Sequence, residues 1–242
     1  MVLHVQASLR ALGPVAGGAA TVVEALLDAL GGPRRGTLVA YTATPENSAT
    51  SRLHTTATAG LSPEQVAAYR ARMPPFDPAT TPCSPTMGAL SEQIRTHPGA
   101  LRSPHPQTSF AALGPLARKI TERHPRESHL GPDSPLGRLY DLDARVLMIG
   151  VPMSRFTAFH LADLRLPDVP LREYRCLGPS GWISFSAPDL DDLHFDALGR
   201  EVLREARGVT ERHVGGADCR LVPMREAVDL AVQVLRRSRQ PA

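Results

Sequence analysis

Cysteine is scarce: Cys83, Cys176 and Cys219 are the three in a chain of 242 residues. The number is odd, the spacing is wide and there is no Cys-x-x-Cys pair. Neither a disulfide framework nor a zinc cluster is suggested, and the thiols are expected to be reduced. Lysine is nearly missing: Lys119 stands alone among 27 basic residues. Arginine and alanine are common throughout, a bias that reflects coding composition rather than a designed arginine surface. Aromatic residues make up 5% of the chain, and the adjacent basic pairs Arg34-Arg35, Arg118-Lys119 and Arg236-Arg237 are not interleaved with them. A single-strand nucleic-acid binder needs that interleaving, so the net charge of +3 and the pI near 9.0 do not imply nucleic acid. No apolar run approaches the ~20 residues of a membrane helix, and the start lacks a basic-then-apolar leader pattern. No membrane association is expected, and a cytoplasmic location is.

Hydrophobic residues at 42% of the chain suffice for a sizeable core, and residues 1–242 are expected to form a single domain. Val2 to Gln6 reads as a strand. Gly17-Gly18 then opens a helix with Val22, Val23, Leu26, Leu27 and Leu30 at helical spacing. The backbone N–H groups of such an entry suit a phosphate, although the glycines form neither a dinucleotide nor a Walker fingerprint. Gly36 to Tyr41 reads as a second strand and Thr42 to Thr58 as a long loop. Ser62-Pro63-Glu64-Gln65 predicts a capped helix running to about Arg72. Five prolines from Pro74 to Pro85 exclude regular helix and sheet. Short helices are expected around Leu90 to Ile94 and from Ser134-Pro135 to Tyr140. Val146 to Val151 has the continuous apolar pattern of a central strand. Thr157 is expected to cap a helix that puts His160 and Asp163 on one face. Trp182 to Ser186 reads as a strand, and helices are expected over Leu193 to Arg204 and Met224 to Arg237.

The candidate for chemistry is His105, in Arg102-Ser103-Pro104-His105-Pro106-Gln107-Thr108-Ser109-Phe110. Each proline pushes the residue before it toward extended geometry, so Ser103 and His105 sit on a stiff backbone. A rigidly presented imidazole suits a general base. The same residues read equally as a loop histidine beside two turn prolines. A metal site from His105, His160 and Asp163 matches no zinc spacing, and no metal is expected.

The ordered motifs carry more than the histidine alone. Met73-Pro74-Pro75-Phe76-Asp77-Pro78, Met87-Gly88-Ala89-Leu90, Pro98-Gly99-Ala100-Leu101-Arg102-Ser103-Pro104-His105-Pro106 and Ser109-Phe110-Ala111-Ala112-Leu113-Gly114 follow one another. Gly131-Pro132-Asp133-Ser134-Pro135-Leu136, Arg145-Val146-Leu147-Met148-Ile149-Gly150 and His160-Leu161-Ala162-Asp163 continue the series, with Gln6-Ala7-Ser8-Leu9-Arg10 before it and Gly215-Gly216-Ala217 after it. In that order they resemble the aminoglycoside 3-N-acetyltransferase family across nearly the whole chain.

The resemblance implies an α/β fold with a mixed central sheet flanked by helices, distinct from the GNAT fold, and acetyl-CoA as co-substrate. It implies direct acetyl transfer to the 3-amino group of the 2-deoxystreptamine ring, giving antibiotic resistance, in a monomer or homodimer. Direct transfer agrees with Gly178-Pro179-Ser180-Gly181 not being a nucleophile elbow. His105 would be the base, with Asp163 behind it where the family usually has glutamate, or else Asp133. Ser8, Leu9, Arg10, Gly17, Gly18, Ser109 and Phe110 would contact CoA. Tyr41, Glu46, Asp77, Glu92 and His160 would line a site for a polycationic sugar, since ammonium groups in a pocket need acidic partners. The family often has a histidine or small residue where Gln6 stands. Rival readings are an acyl-CoA-dependent N-acyltransferase acting on another amine, and a non-catalytic CoA-binding relative.

Overall fold

Alternation along the first strand, β1 (Val2–Ala7), sends Leu3 and Val5 to one core and Val2 and His4 to the opposite face of the sheet. The computed structural model describes residues 1–239. After β1 come the single turn α1 (Leu9–Leu12), α2 (Gly18–Ala29) and β2 (Thr37–Tyr41). Next are α3 (Arg52–Ala57), α4 (Pro63–Ala71) and α5 (Gly88–Thr96), then β3 (Leu101–Arg102) and β4 (Phe110–Leu113). α6 (Ala117–Thr121) and α7 (Pro135–Asp141) precede β5 (Arg145–Ile149), and α8 (Phe159–Asp163) follows it. β6 (Leu171–Gly178) and β7 (Gly181–Pro188) lead to α9 (Phe195–Glu205), β8 (Thr210–Val214), β9 (Ala217–Pro223) and α10 (Met224–Arg239).

Seven strands form one mixed sheet in the order β3-β4-β2-β1-β5-β9-β8. β1 runs parallel to β2 and to β5, with Val2 opposite Thr37 and Leu3 opposite Arg145, and the outer pairs are antiparallel. The expected central strand over 146–151 is thus β5, between β1 and β9. α2 and α5 cover one face, where Val23, Leu27, Leu90 and Ile94 meet Leu3, Val5 and Leu38. The other face packs against helices from α6 to α10 through Phe110, Val146, Met148, Phe156, Phe159, Phe195 and Val228. The sheet is covered on both sides, the three-layer solution for strands this apolar. The connection from β1 goes out to β2 on one side, and the chain later returns to β5 on the other. The carboxyl ends of β1 and β5 therefore diverge at a topological switch point, where open α/β sheets bind ligands. No helix among the described residues is long and apolar enough to cross a membrane.

The capped helix expected at Ser62 forms as α4, with Ser62 Oγ accepting the Gln65 N–H and Gln65 Oε1 accepting the Ser62 N–H. Two expectations differ. The 42–58 stretch is not one loop: it holds a 3-10 turn, Pro45–Asn47, and α3, which Ser51 caps by accepting the His54 N–H at 3.1 Å. α3 has no apolar repeat to announce it. Thr157 does not cap α8, which begins after Ala158 without a side-chain cap; its hydroxyl instead accepts from Gln6 Nε2 at 2.9 Å.

Phe159 is fully buried between the Phe156 and Phe195 rings, at 4.8 and 5.4 Å between centroids. Phe159→Ala is expected to lower unfolding free energy by about 3–5 kcal/mol, read from the urea midpoint. Ser62→Ala, which removes only a surface cap, is expected to lower it far less.

Candidate functional site

The loop bearing His105 is the turn of the β3–β4 hairpin, closed by the Ser103 N–H bonding to the Phe110 carbonyl at 2.9 Å. Inside it, His105 Nδ1 accepts the backbone N–H groups of Gln107 and Thr108, both at 3.1 Å. Its Nε2–H donates to the Arg126 carbonyl at 3.3 Å. Both ring nitrogens are committed and the side chain is buried. A base needs a free lone pair facing its substrate, and the lone pair of His105 closes its own loop. Asp163 does not lie behind it: Asp163 Oδ1 accepts from His194 Nε2 at 2.9 Å. Asp133 is exposed beside the Ser134 cap of α7.

Two further imidazoles pack against His105. The His124 ring lies 4.6 Å from it and the His129 ring 4.7 Å, between centroids. The Phe110 N–H donates to Ser103 Oγ at 2.9 Å, Ser103 Oγ–H to His124 Nδ1 at 2.9 Å, and His124 Nε2–H to the His129 carbonyl at 2.5 Å. This series ties strand β4 to His129 and fixes the tautomer of His124. His129 itself has φ 47° and ψ −98°, a strained backbone for a residue with a Cβ. Its side chain is 0% exposed, and neither Nδ1 nor Nε2 has a hydrogen-bond partner. Ser128 Oγ beside it is likewise buried and unpartnered. Each such group costs about 1–3 kcal/mol when left unpaired, so three together mark a place where the protein leaves bonds for something else to make.

The surroundings of His129 join several elements. Tyr174 and Phe185, cross-strand partners in the β6–β7 hairpin, lie 4.2 and 5.6 Å from its ring. That hairpin is a separate two-stranded sheet, linked to the chain after β2 by an isolated bridge between Ser48 and Cys176. A cleft of about 310 Å³ opens at the neighbouring Ser128, lined also by Glu127, Gly131, Asp133, Leu164 and Pro188. Burial, then the charges of His105, His124, His160 and Arg172, pushes the His129 pKa from 6.5 down to about 2. The ring is therefore neutral at physiological pH. His160 is half-buried, with its ring 4.7 Å from that of Phe195, and burial lowers its pKa to about 4. Tyr41 ends β2 with its ring 4.9 Å from Phe110; burial and then Tyr174 raise its pKa.

Of the residues singled out by sequence, the structure packs His105 against His129, places Phe110 between Tyr41 and His124, sets His160 against Phe195, and puts Asp133 on the adjoining cleft. Three carboxylates expected to line a sugar site make internal bonds. Glu92 takes two bonds from Arg95, at 2.8 and 2.6 Å, and the Cys83 N–H at 3.0 Å. Burial opposes its ionisation, but those bonds hold its pKa at about 2. Glu46 accepts from Ser84 Oγ at 2.6 Å, and Asp77 accepts the N–H groups of Ala79 and Thr80. Ser109 is also committed: its hydroxyl donates to the Thr42 carbonyl at 2.8 Å and accepts from Arg102 Nε at 2.9 Å. Ser8, Leu9 and Arg10 form the exit of β1 into α1 at the switch point, and Gly17 and Gly18 begin α2 with φ of 76° and 61°. Sequence reasoning missed His124, His129, Tyr174 and His194. For His129 a signal existed: it stands two residues ahead of Gly131-Pro132-Asp133-Ser134-Pro135-Leu136.

Against known proteins, the family model described as aminoglycoside 3-N-acetyltransferase matches residues 4–236. Aminoglycoside N(3)-acetyltransferase VII of Streptomyces paromomycinus is 35% identical over 93% of this chain and 81% of its own. The crystal structure of the YokD protein from Bacillus subtilis superposes with a TM-score of 0.89 at 30% identity, over 100% of this chain and 89% of that one. A structure of AAC-IIIb in binary complex with CoASH superposes with a TM-score of 0.81 at 28% identity, over 100% of this chain and 92% of that one.

Burial pushes the pKa values of His4, His105 and His160 down to about 4, below the ordinary 6.5. The unfolded chain then binds more protons than the folded one between those values, so the stability these groups contribute is full above pH 6.5 and declines as pH falls toward 4. The urea midpoint is expected to drop across that window; a midpoint that stays level would contradict neutral burial of these rings.

Proposed function

We propose, because the chain belongs to the aminoglycoside 3-N-acetyltransferase family, that it moves an acetyl group directly from acetyl-CoA to the 3-amino group of an aminoglycoside's 2-deoxystreptamine ring, with His129 as general base. The observation that carries the base role is a strained, neutral imidazole whose two nitrogens are buried and unpartnered. In the reaction the amine nitrogen forms a bond to the acetyl carbon as the carbon–sulfur bond breaks. His129 accepts a proton from that nitrogen and passes it to the departing sulfur, which leaves as the thiol. The neutral ring is the form a base must have before it acts.

The nucleotide end of acetyl-CoA suits the start of α2. Gly17, which precedes the helix, has φ 76°, a left-handed backbone that favours glycine. The first N–H groups of this 12-residue helix are a ready site for phosphate. Ser8, Leu9 and Arg10, at the switch point, would flank the pantetheine. Glu127 and Asp133 are placed to meet ammonium groups of a sugar in the cleft. A second reading, an acyltransferase acting on a less cationic amine, is favoured by the internal bonding of Glu46, Asp77 and Glu92.

A free-thiol release assay with acetyl-CoA, a panel of aminoglycosides and simpler amines separates these readings. Turnover with the antibiotics supports the first and turnover only with other amines the second; acetyl-CoA binding without thiol release contradicts both. His129→Ala is expected to lower kcat by about 10²–10⁴-fold with acetyl-CoA affinity nearly intact. His105→Ala is expected to act through a lower unfolding midpoint, because it opens the β3–β4 turn.

A further inference from the structure

Past the Ala7–Ile149 pair, where the Ser8 N–H donates to the Ile149 carbonyl at 2.8 Å, β1 and β5 part at the switch point. The β1 side runs into α1, and the β5 side runs through Gly150 and the 3-10 turn Met153–Arg155 into α8. With the ladder ended, side chains and packing must hold the two exits together. Gln6, near the end of β1, sends its carboxamide across the gap. Nε2 donates to the Arg155 carbonyl and to Thr157 Oγ1, the latter at 2.9 Å, and Oε1 accepts the Thr157 N–H at 3.3 Å.

Both N–H groups and the oxygen of the amide are thus used, and they meet the peptide edges on either side of Phe156 as a neighbouring strand's peptide would. The partners fix the amide's orientation: turned over, Oε1 would face the Arg155 carbonyl and the NH2 group the Thr157 N–H. On the same stretch the Phe156 ring is fully buried, 4.8 Å from that of Phe159. The carbonyls of Phe156 and Thr157 then accept the N–H groups of Phe159 and His160, at 3.0 and 3.2 Å, and these bonds open α8. An amide on β1 therefore sets where α8 begins and where it carries His160. The titratable neighbours leave that amide alone. His4, two residues back on the same face of β1, is neutral because burial lowers its pKa to about 4, and the Arg155 guanidinium lies 3.9 Å from Asp192.

We propose that Gln6 is a positioning residue for acetyl transfer, its carboxamide holding the segment after β5 and the start of α8 in place against β1 across the switch-point crevice. It touches neither substrate. The role rests on acetyl transfer taking place at this crevice, and not on the identity of the base. A misplacement of about 1 Å far from the reacting atoms can cost up to about 10²-fold in rate. Ser8, Leu9 and Arg10 stay on the β1 side and keep their positions when the amide is lost.

The test measures kcat and acetyl-CoA affinity of the full chain with an amine it accepts, together with hydrogen exchange at the Thr157 amide. Gln6→Leu, similar in size but without hydrogen bonds, is expected to lower kcat at least about tenfold, to leave acetyl-CoA affinity nearly intact and to speed exchange at Thr157. Gln6→Glu decides the matter should Gln6→Leu not fold. Its carboxylate would be repelled by the Arg155 carbonyl, which together with partial burial raises its pKa, and on protonation the acid regains a donor. Its kcat relative to wild type is therefore expected to rise as pH falls from about 8 toward about 5, a change that Gln6→Leu should not show. Wild-type kcat in Gln6→Leu, unchanged exchange at Thr157, or a Gln6→Glu ratio that stays level with pH would overturn the positioning role while leaving the acetyltransferase reading intact. Absence of wild-type turnover with every amine would instead overturn that reading, and the positioning role with it.

Discussion

The hydrogen-bond series from the Phe110 N–H through Ser103 and His124 to the His129 carbonyl is the constraint on which the rest depends. It couples a strand of the sheet to one residue with an unfavourable backbone. Strain of this kind persists only where the surroundings over-determine it. Here they do so twice, through the carbonyl that His124 holds and through the stacked rings on either strand of the β6–β7 hairpin.

His105 belongs to the framework of the same device. By accepting two N–H groups of its own loop it makes the β3–β4 turn rigid, and its ring then forms one wall for His129. The three imidazoles thus divide the work by hydrogen bonding: two are saturated and hold shape, and one is left with both nitrogens available. Arg102 extends the scaffold outward. It donates to Ser109, Thr42 and Thr81, and its guanidinium lies 5.0 Å from the Phe76 ring, so the proline-rich segment is fastened to the end of β2.

Much of the architecture was legible because period and punctuation agree locally. The Gly17-Gly18 entry, the Ser62 capping box and the apolar run from Val146 each correspond to an observed element, as do the helices from Pro135, Phe195 and Met224. β3 and β8 were not legible, since strands of two and five residues at the sheet's edges carry little apolar pattern, and β4, though apolar throughout, is too short at four residues to tell from a helical turn. The site was less legible than the fold. The prolines around His105 correctly indicate a stiff loop, but stiffness does not reveal where a lone pair goes. Glu46, Asp77 and Glu92 resemble site carboxylates by neighbourhood; their partners at Ser84, Ala79 and Arg95 appear only in three dimensions. Asp163 is in the expected His-x-x-acid position, yet a partner of its carboxylate lies 31 residues away at His194.

The central claim, that His129 and not His105 offers its nitrogens to the amine, is tested most directly by heteronuclear NMR of the histidine ring nitrogens while an aminoglycoside with a free 3-amino group is titrated in. The ring nitrogens of His129 should shift from unbonded to hydrogen-bonded positions while those of His105 stay fixed. A shift at His105 with His129 unmoved would contradict the account.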